Sequence, residues 1–237
     1  MDPIIGMIRE DLQNSADAAT KQSFSRFFKE EVRGYGVKTA VVGKIAEKYW
    51  KEVRSKDKNE IFRLCEELYR SQITEEAFVV SFWVPHLKDR FEREDFDVFK
   101  YWIGTYISNW AMCDGFCNHT IGDFLVMFPE FIDRLKSWTK SENRWVRRAS
   151  AVSLIVPAKR GHFLPEVLEI AGLLLTDEDD LVRKGYGWLL KEASRKHENE
   201  VFEFIMRNRR VMPRTALRYA VERMPEERRM EAMKKNW

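Results

Sequence analysis

Proline and glycine are scarce in this sequence. Its 237 residues include 7 Pro and 11 Gly, too few for the frequent turns of an all-β or loop-rich protein. The remaining segments are rich in Lys, Arg, Glu, Leu and Ala and place their apolar residues at helical rather than alternating spacing. The sequence therefore predicts an all-α protein. No change of composition marks a linker, so we expect one domain over residues 1–237.

Long hydrophobic runs and paired cysteines are also missing. No apolar segment approaches the ~20 residues that a membrane span requires. Three cysteines, Cys65, Cys113 and Cys117, form an odd number without the spacing of a disulfide framework, which fits a reducing compartment. We expect a cytoplasmic protein with no membrane contact. The net charge is only +3, so any binding of nucleic acid must depend on where the basic residues lie.

The common catalytic motifs are absent as well. The sequence contains no Gly-rich phosphate loop, no Gly-x-Ser-x-Gly elbow, no His-Glu-x-x-His and no deaminase signature. Cys113, Cys117 and His119 lie close together, but a closed zinc site needs four ligands. The acidic run 177–180 lies between two predicted helices, where acids favour the following helix N-terminus. We therefore expect no metal and no other cofactor.

An internal repeat is present in the second half of the chain. Residues 142–149, ENRWVRRA, resemble residues 178–185, EDDLVRKG, at a shift of 36 residues. A period of this size is typical of stacked antiparallel helix pairs of the HEAT type. The same register can be extended in both directions, and it aligns Asp114, Arg148, Lys184 and Thr215. In a curved α-solenoid such positions form a row along a concave groove, with Trp110 and Trp188 one helical turn away.

Simpler interpretations stand beside this one. Asp114 could be the N-cap of a helix predicted near 115–128, as Thr39 could be for a helix over 39–53. Both tryptophans could belong to the core. The basic residues of the repeat could be solvated, or could form a structural ion pair with Asp114. Convergence of two Trp, an Asp and a row of cations on one face favours a functional site instead.

Three segments resemble the AlkD-type DNA alkylation-repair glycosylases, a HEAT-like all-helical family. They are residues 109–114, NWAMCD; 144–149, RWVRRA; and 184–192, KGYGWLLKE. Residues 35–39, YGVKT, and 213–220, PRTALRYA, add weaker support. The sequence departs from the family at Ala40, where a Pro is frequent, and at Phe27, where a Tyr is expected. These departures concern N-terminal contacts with DNA and not the central residues.

The resemblance implies a function: hydrolysis of the N-glycosidic bond of cationic alkylated purines, N3-alkyladenine and N7-alkylguanine, in duplex DNA without base flipping. Asp114 would stabilise the oxocarbenium-like sugar and deliver water, while Trp110 and Trp188 would present π faces to the cationic nucleotide. The implied DNA-binding residues are Arg148, Lys184, Arg147, Lys191, Arg214 and Thr39. We expect a monomer that associates with the nucleoid when bound to DNA. Two alternatives remain open: a HEAT-like scaffold for protein partners, and a relative that binds branched or damaged DNA without chemistry.

Overall fold

The computed structural model describes residues 2–28 and 31–234, without the side chains of Ser25 and Phe27. The expected departure at Phe27 therefore falls outside the described side chains. Every regular element in the described ranges is helical and none is a strand, which confirms the all-α prediction. Within the same ranges, no helix is long and apolar enough to cross a membrane. The chain divides into two compact units, Met1–Phe116 and Cys117–Trp237, and the single domain expected from the sequence stays a prediction.

In the first unit, alternate helices of the chain pack side by side. Its helices are α1 Pro3–Asn14, α2 Ala18–Phe27, α3 Thr39–Val53, α4 Lys58–Arg70, α5 Thr74–Trp83, α6 Asp95–Tyr106 and α7 Trp110–Phe116. Helix α5 packs between α3 and α7, and α4 packs against α5 and α6. The core between them is aromatic, with Trp83 and Trp102 almost completely buried.

Two predicted helices of the first unit differ from the structure at their ends. The helix predicted over 74–90 is divided, because α5 ends at Trp83 and the chain continues as a 3₁₀ helix over Val84–Arg90. Pro85 lacks the N–H that a longer α-helix would use. The helix predicted over 17–32 ends at Phe27, and Phe28 is extended. Residues 29 and 30 lie outside the described ranges.

The second unit repeats the same organisation. A π-helical turn, Cys117–Ile121, follows α7 directly and leads into α8 Gly122–Met127, and short 3₁₀ turns cover Pro129–Phe131 and Trp138–Lys140 on either side of α9 Ile132–Ser137. The remaining helices are α10 Arg144–Val152, α11 Ile155–Lys159, α12 Leu164–Leu173, α13 Asp180–Ala193, α14 Glu198–Asn208, α15 Arg214–Val221 and α16 Glu226–Met233. Helix α13 packs between α10 and α15. The single helix predicted over 144–156 is divided in the structure, because α10 ends at Val152 and α11 begins at Ile155.

The repeat seen in the sequence is a repeat of local structure. Asn143 caps α10 by accepting the Trp145 N–H at 2.8 Å, and Asp179 caps α13 by accepting the Leu181 N–H at 2.8 Å. Small residues then allow close helix packing, most clearly at Gly187, where an added Cβ would lie 2.8 Å from a backbone oxygen of α15. These features confirm the HEAT-like all-α fold.

Candidate active site and nucleic-acid interface

Helix α7, which carries the candidate catalytic residues, is capped by Asn109. The Asn109 side-chain oxygen accepts the Met112 N–H at 3.0 Å, and its amide donates to Thr74 Oγ1 on α5 at 3.2 Å. Asn109 is 1% exposed. Because α7 begins at Trp110, Asp114 lies in its second turn. The interpretation of Asp114 as an N-cap, and with it a helix start near residue 115, is therefore wrong.

Asp114 and Trp110 lie one helical turn apart on one face of α7, as their spacing predicted. Both are partly exposed, in contrast to the buried tryptophans of the core. The following residue, Gly115, faces α5: an added Cβ would lie 3.4 Å from Ser81 Oγ. Gly115 therefore lies on the face of α7 that packs against α5, and Asp114 beside it is only partly buried.

An aromatic stack supports Trp110 from one side. The Phe28 ring lies 5.2 Å from the Trp110 ring with an angle of 26° between the planes, and Phe24 lies 5.0 Å from Phe28. Phe28 is buried. Sequence reasoning considered Phe27 and missed Phe28, because Phe28 lies just beyond the end of α2 in extended conformation, where helical spacing gives no signal. The stack limits the orientations open to the Trp110 ring.

Two buried carboxylates on α5 hold the segment that leads into α3, and sequence reasoning missed both. Glu75 accepts the backbone N–H groups of Tyr35, Gly36 and Val37 at 3.1, 2.7 and 3.0 Å. Its neighbour Glu76 pairs with an arginine of α1 at 3.0 Å and accepts the Tyr35 hydroxyl at 2.7 Å. Burial, together with this hydrogen bond, raises the pKa of Tyr35 to about 12.

Thr39 is the first residue of α3 rather than its cap. The N-cap is Lys38, whose side chain makes no capping hydrogen bond, so the prediction of Thr39 as N-cap is wrong. Thr39 is exposed and lies at the N-terminus of α3, which is the positive end of the helix dipole. A hydroxyl in this setting suits an anion such as a DNA phosphate.

In the second unit, Arg147 and Arg148 point to different partners. Arg147 forms an ion pair with Asp177 at 2.7 Å and donates to the carbonyl oxygen of Ser141 at 2.8 Å. The sequence left open an ion pair of the basic residues with Asp114, whereas the carboxylate that pairs with Arg147 is Asp177. Arg148 is 5% exposed, donates to the Leu181 carbonyl oxygen at the start of α13 and packs its side chain against that helix.

Lys184 and Thr215 lie close together, but the register that made them equivalent is wrong at Thr215, because Lys184 is the fifth residue of α13 and Thr215 only the second of α15. They line a cleft of about 520 Å³ between α13 and α15, whose walls are Asp180, Lys184, Thr215, Arg218, Tyr219 and Glu222. Counted from the helix starts, Arg218 occupies in α15 the fifth position that Lys184 occupies in α13 and Arg148 in α10. Arg218 is thus the structural counterpart of Lys184, with Thr215 one turn before it.

The other predicted residues of the second unit flank this cleft or lie apart from it. Trp188 is partly exposed, one turn after Lys184. Lys191 forms an ion pair with Glu222 at 3.0 Å. Arg214 is exposed but donates twice to the Met233 carbonyl oxygen, at 3.0 Å each. Trp110, Asp114 and Thr39 belong to the first unit, so the convergence of all these residues on one groove stays a prediction.

The soft ligands noted in the sequence do not form a cluster. Cys113 and Cys117 are buried and His119 is exposed. In the described part of the chain, no group of three or more Cys, His, Asp or Glu side chains is arranged to hold a metal ion.

Comparison with known proteins gives the family of the chain. Among solved structures it is similar to a predicted DNA alkylation repair enzyme from Enterococcus faecalis, with a TM-score of 0.79, 17% identity and coverage of 90% of this chain and 98% of that one. It is also similar to AlkD2 from Streptococcus mutans, with a TM-score of 0.61, 18% identity and coverage of 86% and 98%. A third similar structure is the Pseudomonas fluorescens alkylpurine DNA glycosylase AlkC bound to DNA containing an abasic site analog, with a TM-score of 0.53, 17% identity and coverage of 97% and 65%.

No curated protein sequence matches the chain significantly. At such low identity the structural similarities establish the fold alone. The sequence profile of a family described as DNA alkylation repair enzyme, however, matches residues 8–224. The match covers nearly the whole chain, including α3, α7, α10, α13 and α15, and so the protein belongs to the DNA alkylation repair enzyme family.

Proposed function

We propose that this protein is a DNA glycosylase that removes cationic alkylated purines from duplex DNA. The observation that carries the proposal is the position of Asp114: a partly exposed carboxylate in the second turn of α7, one turn after Trp110. Asn109 already caps the helix, so capping does not explain the presence of Asp114. Membership of the DNA alkylation repair enzyme family supports the same conclusion.

The proposed reaction needs little beyond a well-placed carboxylate. A purine alkylated at N3 or N7 carries a positive charge, so the bond to C1′ breaks with both electrons moving to the base, which leaves neutral and unprotonated. The sugar becomes an oxocarbenium ion. Asp114 would stabilise that cation and accept the proton of the water that attacks C1′. The products are the free base and an abasic site.

Selectivity for cationic lesions follows from the aromatic residues. A cation over the face of a Trp ring gains roughly 0.5–2 kcal/mol, which a neutral base does not receive. The stack on Phe28 holds the Trp110 ring for this contact. We propose that Trp188 provides a second aromatic contact with DNA. The proposal includes excision without extrusion of the base, as the family resemblance implies.

Contacts with the DNA backbone are proposed for the residues whose polar groups are accessible or held in place. Thr39 is exposed, and Lys184 and Lys191 are partly exposed. The buried Arg148 guanidinium is fixed against α13. Arg147 pairs with the Asp177 carboxylate, and Arg214 donates to the Met233 carbonyl oxygen. Both contacts hold turns and helix ends of the second unit in place. Arg147 and Arg214 stay proposed DNA contacts, and a phosphate would have to share or displace those oxygens.

The experiment that tests the proposal is release of free base from a duplex containing N7-methylguanine, measured under single-turnover conditions. Asp114→Asn keeps the size of the side chain but removes its charge, so excision should slow by at least ~10²-fold. Because Asn109 supplies the cap, the melting temperature should stay close to that of the wild type. Duplex binding should be unchanged or slightly stronger, since a negative charge near the phosphates is lost.

Asp89→Asn provides the matched control, because Asp89 is an exposed carboxylate of the same unit and its loss changes the net charge equally. This variant should excise at the wild-type rate. An Asp114→Asn protein that also excises at the wild-type rate would refute the catalytic assignment. A wild-type protein that binds the duplex without releasing base would support the non-catalytic DNA-binding alternative.

A further inference from the structure

Two carboxylates lie among the cations of the cleft between α13 and α15. We propose that Glu222, assisted by Asp180, is a counter-charge that holds Lys191 and Lys184 in unliganded protein and lowers the affinity for undamaged DNA. A backbone phosphate then binds by displacing a carboxylate from a lysine. The inference rests on the proposed function, because it concerns the DNA-binding surface of the second unit.

The contact between Lys191 and Glu222 joins two helices. Lys191 Nζ lies 3.0 Å from Glu222 Oε2; the lysine side chain is 14% exposed and the glutamate side chain 57%. The same nitrogen lies 5.9 Å from the centre of the Tyr219 ring. The stem of Lys191 is therefore covered by protein, and its charged end meets the carboxylate at the rim of the cleft.

Stability does not account for a glutamate at this position. Glu222 is the C-cap of α15, where the negative end of the helix dipole disfavours a carboxylate. The ion pair with Lys191 contributes little in return, since the glutamate side chain is 57% exposed. Asp180 differs, because it is in the first turn of α13, where an acid is favourable, and it also pairs with Lys184 at 2.8 Å. Glu222 is consequently the decisive residue of the two.

The balance of charge in the cleft shows what the carboxylates change. Two cations that line the cleft, Lys184 and Arg218, and a third beside it, Lys191, face two carboxylates. Arg218 has no ion-pair partner among the described residues. A phosphate entering the cleft meets one available cation and two that are already neutralised. The carboxylates also repel it. Binding to ordinary backbone is thereby weakened, which lets the protein leave undamaged DNA sooner.

The test compares three variants that change the net charge by the same amount: Glu222→Gln, Asp180→Asn and, as control, Glu203→Gln. Glu203 is exposed on α14 and does not line the cleft. Affinity for an undamaged fluorescein-labelled duplex is measured by anisotropy at low and moderate salt. Glu222→Gln should bind about two- to fivefold more tightly at low salt, the scale of one exposed ion pair. Its affinity should also fall more steeply with salt, while Glu203→Gln stays near the wild type.

A double-mutant cycle with Lys191→Gln shows whether Glu222 acts through that lysine. Lys191→Gln alone should weaken binding, and in its presence the gain from Glu222→Gln should largely disappear. Glu222→Gln should melt at or slightly above the wild-type temperature, because it removes an unfavourable charge at a helix C-terminus, so misfolding cannot explain its binding.

Two results would overturn the inference. One is an equal effect of all three neutralised acids, which would show that only net charge matters. The other is an undiminished gain in duplex affinity from Glu222→Gln in the Lys191→Gln background, which would show that Glu222 only repels the phosphates. A wild-type protein that binds no duplex at any salt concentration would instead refute the proposed function, and the two failures are thus distinguishable.

Discussion

Replacement of Asn109 by Ala tests whether the start of α7 is held by the contact with α5. The change removes the acceptor for the Met112 N–H at 3.0 Å and the donor to Thr74 Oγ1 at 3.2 Å. Loss of an N-cap side chain costs about 1 kcal/mol. A buried hydroxyl deprived of its partner adds roughly 1–2 kcal/mol, since Asn109 and Thr74 are 1% and 0% exposed.

The expected total is a loss of about 2–3 kcal/mol in the free energy of unfolding. In a chain of this size each kcal/mol corresponds to roughly 2–4 °C in melting temperature. Thr74→Val, which keeps the shape of the side chain and leaves the cap in place, should cost about 1 kcal/mol. The double variant should lose less than the sum of the two, because both single changes break the same hydrogen bond.

The functional consequence follows from the residues that α7 carries. A frayed first turn displaces Trp110 and, through the second turn, Asp114, and a shift of ~1 Å in a reacting group can cost up to ~10²-fold in rate. We expect Asn109→Ala to lower the single-turnover excision rate at least ~10-fold at a temperature well below its melting point. Thr74→Val should lower the rate much less, since Asn109 still caps the helix.

The decisive comparison is between rate and stability in the same samples. Excision by Asn109→Ala at the wild-type rate, measured where the protein is fully folded, would refute the argument that the cap positions the catalytic residues. A melting temperature equal to that of the wild type would refute the energetic argument itself.

Two further predictions concern packing and pH. Gly187→Ala should destabilise the protein by about 1–3 kcal/mol, because the new Cβ would lie 2.8 Å from the Ala216 carbonyl oxygen. Gly115→Ala should be tolerated, because its new Cβ would lie 3.4 Å from its nearest neighbour, Ser81 Oγ. Denaturant titrations measure the free energy of unfolding of both variants. Because the folded-state pKa of Tyr35 is raised to about 12 from an ordinary value near 10, its contribution to stability is complete below pH 10 and is lost as the pH rises towards 12. Tyr35→Phe should flatten that fall in unfolding free energy, and an identical fall in the variant would contradict the assignment.

The sequence alone determined the features that depend on neighbours within a few residues. Scarce Pro and Gly and helical periodicity gave the fold class, and the segments 142–149 and 178–185 gave the repeat. The caps at Asn143 and Asp179 fall at the same offset in each repeat. Such signals are readable because a cap or a helix face is formed by residues at most four positions apart. The same local rule placed Trp110 and Asp114 on one face.

Tertiary structure decided which of several suitable side chains takes each role. Asp114 lies inside α7, and the cap of that helix is Asn109, whose amide donates to Thr74, 35 residues earlier. The carboxylate that pairs with Arg147 is Asp177, 30 residues later, and Glu222 meets Lys191 across two helices. Each choice depends on which helices pack together, and the energy of that packing comes from buried surface distributed over many residues. The pattern of neighbouring residues in the sequence therefore does not predict which helices pack together.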